Sequence, residues 1–196
     1  MKYVSETDRK SVARALREGL IVGVPTETVY GLAVMANNTE AIKKLLRLKN
    51  REIDSGKVLT MMVADVDDMA KYVEMDRRST RLARHYFPGE LTMVLLKNED
   101  WSHPYYDNFG TVGIRIPNHR FMLDLLRETG PLLVTSANPR GERPCRTSQE
   151  LGKRMPDVNM IVEGECENGL PSTVLDLTGK EPRALRQGGL LIVHYA

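Results

Sequence analysis

The apolar residues of this chain change period along its length. Between Ser5 and Arg17 they fall at helical spacing, with Val12, Leu16 and Leu20 stacked at i, i+4, i+8 and Gly19 near the end. Leu20-Ile21-Val22-Gly23-Val24 then runs apolar without a break, the pattern of a buried strand. A second helix can be capped by Asn38 or Thr39, with Ile42, Leu45 and Leu46 inward and Lys43, Lys44 and Arg47 outward. Leu59 to Val63 predicts a strand, Asp65 opens a helix with Met69, Tyr72 and Val73 on its apolar face, and another helix spans roughly 77–87. Leu91 to Leu96 is a strand and 97–110 a polar connection. In Thr111–Pro117 the alternation puts Thr111, Gly113 and Arg115 on one face and Val112, Ile114 and Ile116 on the other. Asn118 is placed to cap a helix with Met122, Leu125 and Leu126 inward and Gly130 at its end. Strands at Pro131–Thr135, Val158–Val162, Val174–Leu177 and 182–186, with a short helix near 148–154, complete an α/β pattern.

Several strands end on chemistry. The first runs into Pro25-Thr26-Glu27-Thr28-Val29-Tyr30-Gly31-Leu32, where Pro25 stops ladder pairing and two hydroxyls and a carboxylate follow. Strand ends are where ligands usually sit in α/β sheets, although such a stretch also suits a self-capping polar turn. Lys49 and Arg51 follow the second helix; extended backbone there would point both to one side, toward a phosphate or carboxylate. Arg115 stands among small residues and needs an acidic partner or a bound anion. Ser136-Ala137-Asn138 ends another strand, the basic loop 140–147 could close over an anion, and Arg186 precedes two glycines near the end of the chain. Such groups offer donors without bulk and suit a polyanion held by many hydrogen bonds.

Composition narrows the classes. At 196 residues the chain fits one domain, 1–196, and its net charge of +2 is too mild for non-specific nucleic-acid binding. Arg77, Arg81 and Arg84 make a helical stripe that reads better as a solvated face than as an RNA contact. Ser55-Gly56-Lys57 is not a P-loop, because Val58 replaces the Ser or Thr and Arg51 the first Gly. The four histidines are scattered, and no residue is assigned to a metal. Cys145 and Cys166 form no CxxC pair and suit a reducing compartment. There is no apolar N-terminal segment and no run long enough for a membrane helix, so a cytoplasmic location and no membrane partner are expected.

Seven stretches together resemble one family. The octapeptide at 25–32, Lys-x-Arg at 49–51, Pro-Gly-x-x-Thr at 88–92, Thr-Val-Gly-Ile-Arg-x-Pro at 111–117, Ser-Ala-Asn at 136–138, Pro-Ser-Thr-Val-Leu-Asp at 171–176 and Leu-Arg-x-Gly at 185–188 look like motifs of the YrdC/Sua5/TsaC family, in its short single-domain branch. The resemblance implies a twisted mixed β-sheet flanked by helices, with a large basic concave cavity. It implies synthesis of L-threonylcarbamoyladenylate and pyrophosphate from L-threonine, bicarbonate and ATP, with Mg2+ bound mainly through the triphosphate. The product would pass to a threonylcarbamoyl transferase complex that modifies adenosine 37 of tRNA, and weak tRNA or double-stranded RNA binding would accompany it.

By the same resemblance Lys49 and Arg51 are catalytic and hold ATP, which Ser55, Thr111, Ser136, Asn138 and Arg186 also contact. Thr28, Tyr30, Arg115 and Ser172 would bind threonine. The chain departs from the pattern at Glu52 and Glu90, where the family has Pro, at the longer 51–60 loop, and at Met62, where the Sua5 branch has His. Two alternatives remain: a YciO-like relative with another activity on this fold, and a non-catalytic RNA-binding module.

Overall fold

The computed structural model describes residues 1–50 and 58–192. Its strands are β1 (Lys2–Val4), β2 (Val22–Val24), β3 (Gly31–Met35), β4 (Thr60–Met62), β5 (Leu91–Leu96), β6 (Thr111–Arg115), β7 (Leu132–Ser136), β8 (Met160–Val162), β9 (Thr173–Asp176) and β10 (Arg183–Arg186). The helices are α1 (Arg9–Arg17), α2 (Thr39–Leu48), α3 (Val66–Met69), α4 (Arg77–Tyr86), α5 (Arg120–Thr129) and α6 (Ser148–Arg154). The strands form one ten-stranded sheet in the order β1-β8-β2-β3-β7-β4-β6-β5-β9-β10. It is mixed: β1·β8, β2·β8, β4·β6 and β5·β9 are parallel and the other pairs antiparallel.

Local chemistry explains most boundaries. Ser5 caps a 3-10 turn over Glu6–Asp8, and Asp8 then caps α1, so the first helical stretch is divided in two. Asn38 caps α2 through the Ala41 N–H. Asp76 and Ser79 form a reciprocal capping box at the start of α4. Asn118 does not cap α5; His119 takes the cap position without a side-chain bond, and the Asn118 N–H donates to Glu27 Oε1 at 2.9 Å. The 97–110 connection is less polar in effect than its composition. Tyr105 and Tyr106 are buried in it, and their hydroxyls pair with the N–H and C=O of Leu59 at 2.9 and 2.8 Å.

Register decides what each face of the sheet carries. Thr60, Gly113 and Val134 share one row, and Met62, Arg115 and Leu132 the next, so these side chains project from the same side. On that side Val22, Ala33, Leu132, Val134 and Met62 pack under Val12 and Leu16 of α1 and Phe121, Met122, Leu125 and Leu126 of α5. This cluster contains no residue of β5, β6, β9 or β10. There the same side shows Thr111, Gly113, Arg115, Thr92, Val94 and Val174, and Thr60, Val94, Thr111 and Val174 stay half-buried. The opposite side is packed throughout: Met61, Met93, Ile114 and Leu175 lie fully buried with residues of α2, α3, α4 and α6. Among the described residues, that half of the face carries no apolar cluster, and it forms a floor of mostly small or polar side chains over a solid core, with Thr92, Gly113 and Arg115 buried in it.

Candidate active site

Arg115 stands at the closed end of the floor. Its Nη2 pairs with Glu27 Oε1 at 2.8 Å and donates to Thr28 Oγ1 at 3.0 Å, and its Nε donates to the Gly89 carbonyl at 3.2 Å. The acidic partner that the sequence required is thus Glu27, from the turn after β2. Thr28 is itself fully buried, its Oγ1 2.9 Å from that of Thr26, whose hydroxyl donates to the Val29 carbonyl at 2.7 Å. Nη1 of Arg115 makes no hydrogen bond among the described residues.

The second guanidinium comes from the far edge of the sheet. Arg186 donates from Nε to the Ser172 carbonyl at 2.9 Å and from Nη2 to Ser172 Oγ at 3.1 Å. Ser172 Oγ lies 2.8 Å from Thr92 Oγ1, and both residues are buried. Desolvation and then the like charge of Arg115 lower the pKa of Arg186. β10 is exposed along its length, and its hairpin with β9 is tied to the packed side by Arg78 of α4. Arg78 donates to the carbonyls of Leu177, Gly179 and Lys180 at 3.1, 2.9 and 2.6 Å.

The third group lies where β7 ends. Lys49 is 3% exposed, and its Nζ donates to the Ser136 carbonyl at 2.9 Å, to Asn138 Oδ1 at 3.0 Å and to the Asn138 carbonyl. Ser136 Oγ donates to Asn138 Oδ1 at 2.7 Å, and Asn138 Nδ2 donates to the carbonyls of Pro139 and Glu142. Lys49, Ser136 and Asn138 are therefore one hydrogen-bonded unit. The extended backbone expected after α2 is absent at its first residues: Lys49 is the C-cap, and Asn50 has φ 47°. Arg51 and Ser55 lie outside the described residues.

Thr111 opens β6 on the same side of the sheet as Arg115 and stays half-buried, next to the Ser136 end of the floor by register. Tyr30 is not on the floor. It is fully buried in the core of the opposite side, its hydroxyl donates to the Val162 carbonyl at 2.9 Å, and burial pushes its pKa up. The 140–147 loop is already fastened: Arg154 reaches Glu142, and Arg143 reaches Glu150, at 2.8 and 2.7 Å. Two participants went unassigned in the sequence reading. Glu27 was visible only as a carboxylate in the octapeptide, and Thr92 only as the last residue of Pro-Gly-x-x-Thr; the period-two pattern shared by Thr92 and Arg115 was the usable signal.

Behind Glu27 lies a cleft of about 430 Å³ lined by Glu27, Glu90, Glu167, His85, Asn118 and Asn168, among others. Glu27, which pairs with Arg115, and Gly89, whose carbonyl accepts from Arg115, both line this cleft.

A family profile described as "Telomere recombination", covering Sua5, YciO and YrdC, matches residues 14–188. This chain belongs to the Sua5/YciO/YrdC family. Among its relatives in that family, mouse threonylcarbamoyl-AMP synthase is 35% identical over 184 residues, 89% of this chain and 64% of the mouse protein. The structure of P. abyssi Sua5 complexed with L-threonine superposes with a TM-score of 0.87 at 31% identity, over 96% of this chain and 57% of Sua5. The fold is shared by E. coli YciO at a TM-score of 0.86 and 24% identity, over 96% of this chain and 95% of YciO. The chain thus spans less than two thirds of the mouse protein and of P. abyssi Sua5. Among the described residues no helix is long and apolar enough to cross a membrane.

Proposed function

We propose that this chain is an L-threonylcarbamoyladenylate synthase. The observation that carries the reading is the run of contacts from Arg186 through Ser172 to Thr92, which the β5·β6 register sets across from Arg115, itself paired with Glu27. Like charges are brought together where an anion is to be bound. The family relationship supports the choice of reaction, because relatives carry the synthase name at 33–35% identity.

The chemistry joins two anions. The amine nitrogen of threonine bonds to the carbon of bicarbonate, water leaves, and an oxygen of the resulting carbamate attacks the α-phosphorus of ATP while the bond to the bridging oxygen breaks and pyrophosphate departs. The protein's tasks are charge neutralisation and alignment. In this reading Arg115, Arg186 and Ser172 receive the threonine carboxylate, with Thr28 and Glu27 holding Arg115 from behind. Thr111, Ser136 and Asn138, stiffened by Lys49, line the path of the triphosphate, and Arg51 would join them. Arg186, first assigned to the nucleotide, thereby moves to the amino-acid end.

Mg2+ on the triphosphate would supply further neutralisation. Among the described residues no group of three carboxylates, histidines or cysteines could hold it, so this chain offers the phosphates cations and hydroxyls instead. The product would serve a transferase complex acting on tRNA.

The test is pyrophosphate release from ATP and bicarbonate with and without L-threonine. Release should depend on threonine, and Arg186→Met should lower kcat/KM for threonine at least tenfold, the size of one charge-assisted hydrogen bond. Threonine-independent release, or an Arg186→Met variant as active as the wild type, would overturn the proposal.

A further inference from the structure

The hydroxyl pair at the floor's closed end has one hydrogen too many. Ser172 Oγ accepts from Arg186 Nη2 at 3.1 Å and lies 2.8 Å from Thr92 Oγ1. A single O···O contact takes up one hydroxyl hydrogen, whichever oxygen donates. The other has no acceptor among the described residues, since neither hydroxyl makes any other hydrogen bond as donor. Both residues are 3% exposed, so bulk water is a poor substitute. A buried donor without a partner is costly, and the cost is relieved by an incoming acceptor atom.

What kind of acceptor is set by the surroundings. Arg186 donates into the pair, and Thr92 stands next in register to the Met93–Ile114 pair of β5·β6, which sets it across from Arg115. The surplus hydroxyl hydrogen thus lies against one guanidinium, with a second on the neighbouring strand. The contrast with the neighbouring hydroxyls is instructive. Thr26 spends its hydrogen on the Val29 carbonyl, so Thr28 must donate to Thr26 while accepting from Arg115, and no hydrogen there is left over. The surplus belongs to the Ser172–Thr92 pair alone of these two.

We infer that one oxygen of a ligand carboxylate completes the Ser172–Thr92 pair, and that Thr92 is a positioning residue for that carboxylate. Thr92 fills one acceptor lobe of Ser172 Oγ while Arg186 fills the other, which turns the Ser172 hydrogen toward the ligand. This rests on the synthase reading and adds to it a residue and the group it serves.

Thr92→Val keeps the side-chain shape and removes the hydroxyl. It should raise KM for threonine about fivefold, the loss expected for one neutral hydrogen bond, and leave KM for ATP unchanged. Thr92→Ser should restore the wild-type value. The thermal upshift that threonine gives to the protein should shrink in Thr92→Val and return in Thr92→Ser, a readout independent of turnover. An unchanged KM for threonine in Thr92→Val, or an equal rise for both substrates, overturns the inference while threonine-dependent turnover of the wild type leaves the synthase reading intact. If the wild type itself shows no threonine dependence, both fall.

Discussion

Lys49 has the chemistry of a phosphate ligand and the setting of a core residue. Its ammonium donates to the Ser136 carbonyl and to both oxygens of Asn138, so it shapes the turn at the end of β7 while placing a charge beneath it. A surface lysine after a helix would be removable at little cost. Lys49→Ala instead strips buried oxygens of their donor and should cost about 1–3 kcal/mol of stability, read as a lower midpoint in urea, besides any loss of activity. Arg115 shows the same lesson: its position among small residues signalled an unmet charge, but which carboxylate met it depended on a turn 88 positions away in sequence, Glu27 to Arg115. Spacing reveals the need for a partner, whereas the partner's identity is a property of the folded chain.

Among the elements, those with an unbroken pattern were the easiest to read. β5 and α6 fall where the apolar run and the short helix were placed, over Leu91–Leu96 and Ser148–Arg154. β3 was not anticipated. All five of its residues are buried, so no alternation marks it, and it begins inside the octapeptide whose polar residues drew attention away. β1 has three residues, too few for a period, and it exists because it pairs with β8, more than 150 positions on. Helix starts were legible where a side chain does the capping, as at Asn38 and Asp65, and illegible at the start of α5, where none does, although Gly130 ends that helix as its sequence indicates. The capping box of α4 is testable by acid. Backbone and side-chain donation from Ser79 hold the Asp76 carboxyl below its ordinary value of 3.8. A group lowered on folding contributes stability above its unfolded pKa and loses it as pH falls through the folded one. Asp76→Ala should therefore lower the melting temperature at pH 7, by about 1 kcal/mol of stability, and by progressively less as the medium is acidified through the folded-state pKa of Asp76.

At the scale of the whole molecule, the two faces of the sheet do different work. The helices and the aromatic connection pack one face throughout, whereas on the other, among the described residues, the apolar cluster stops before β6, β5 and β9. Amide hydrogen exchange should thus be slow in β4, β5, β6 and β7 before any ligand is added. ATP and threonine should slow it further mainly in the connecting loops; floor strands that exchange freely in the ligand-free protein would contradict this arrangement. The cleft beside Glu27 gathers Glu27, Glu90 and Glu167, whereas Arg186 meets no carboxylate among the described residues. On the proposed reading a triphosphate would be repelled by the first group and drawn by the second, so its direction of approach would be set by the field before any contact forms.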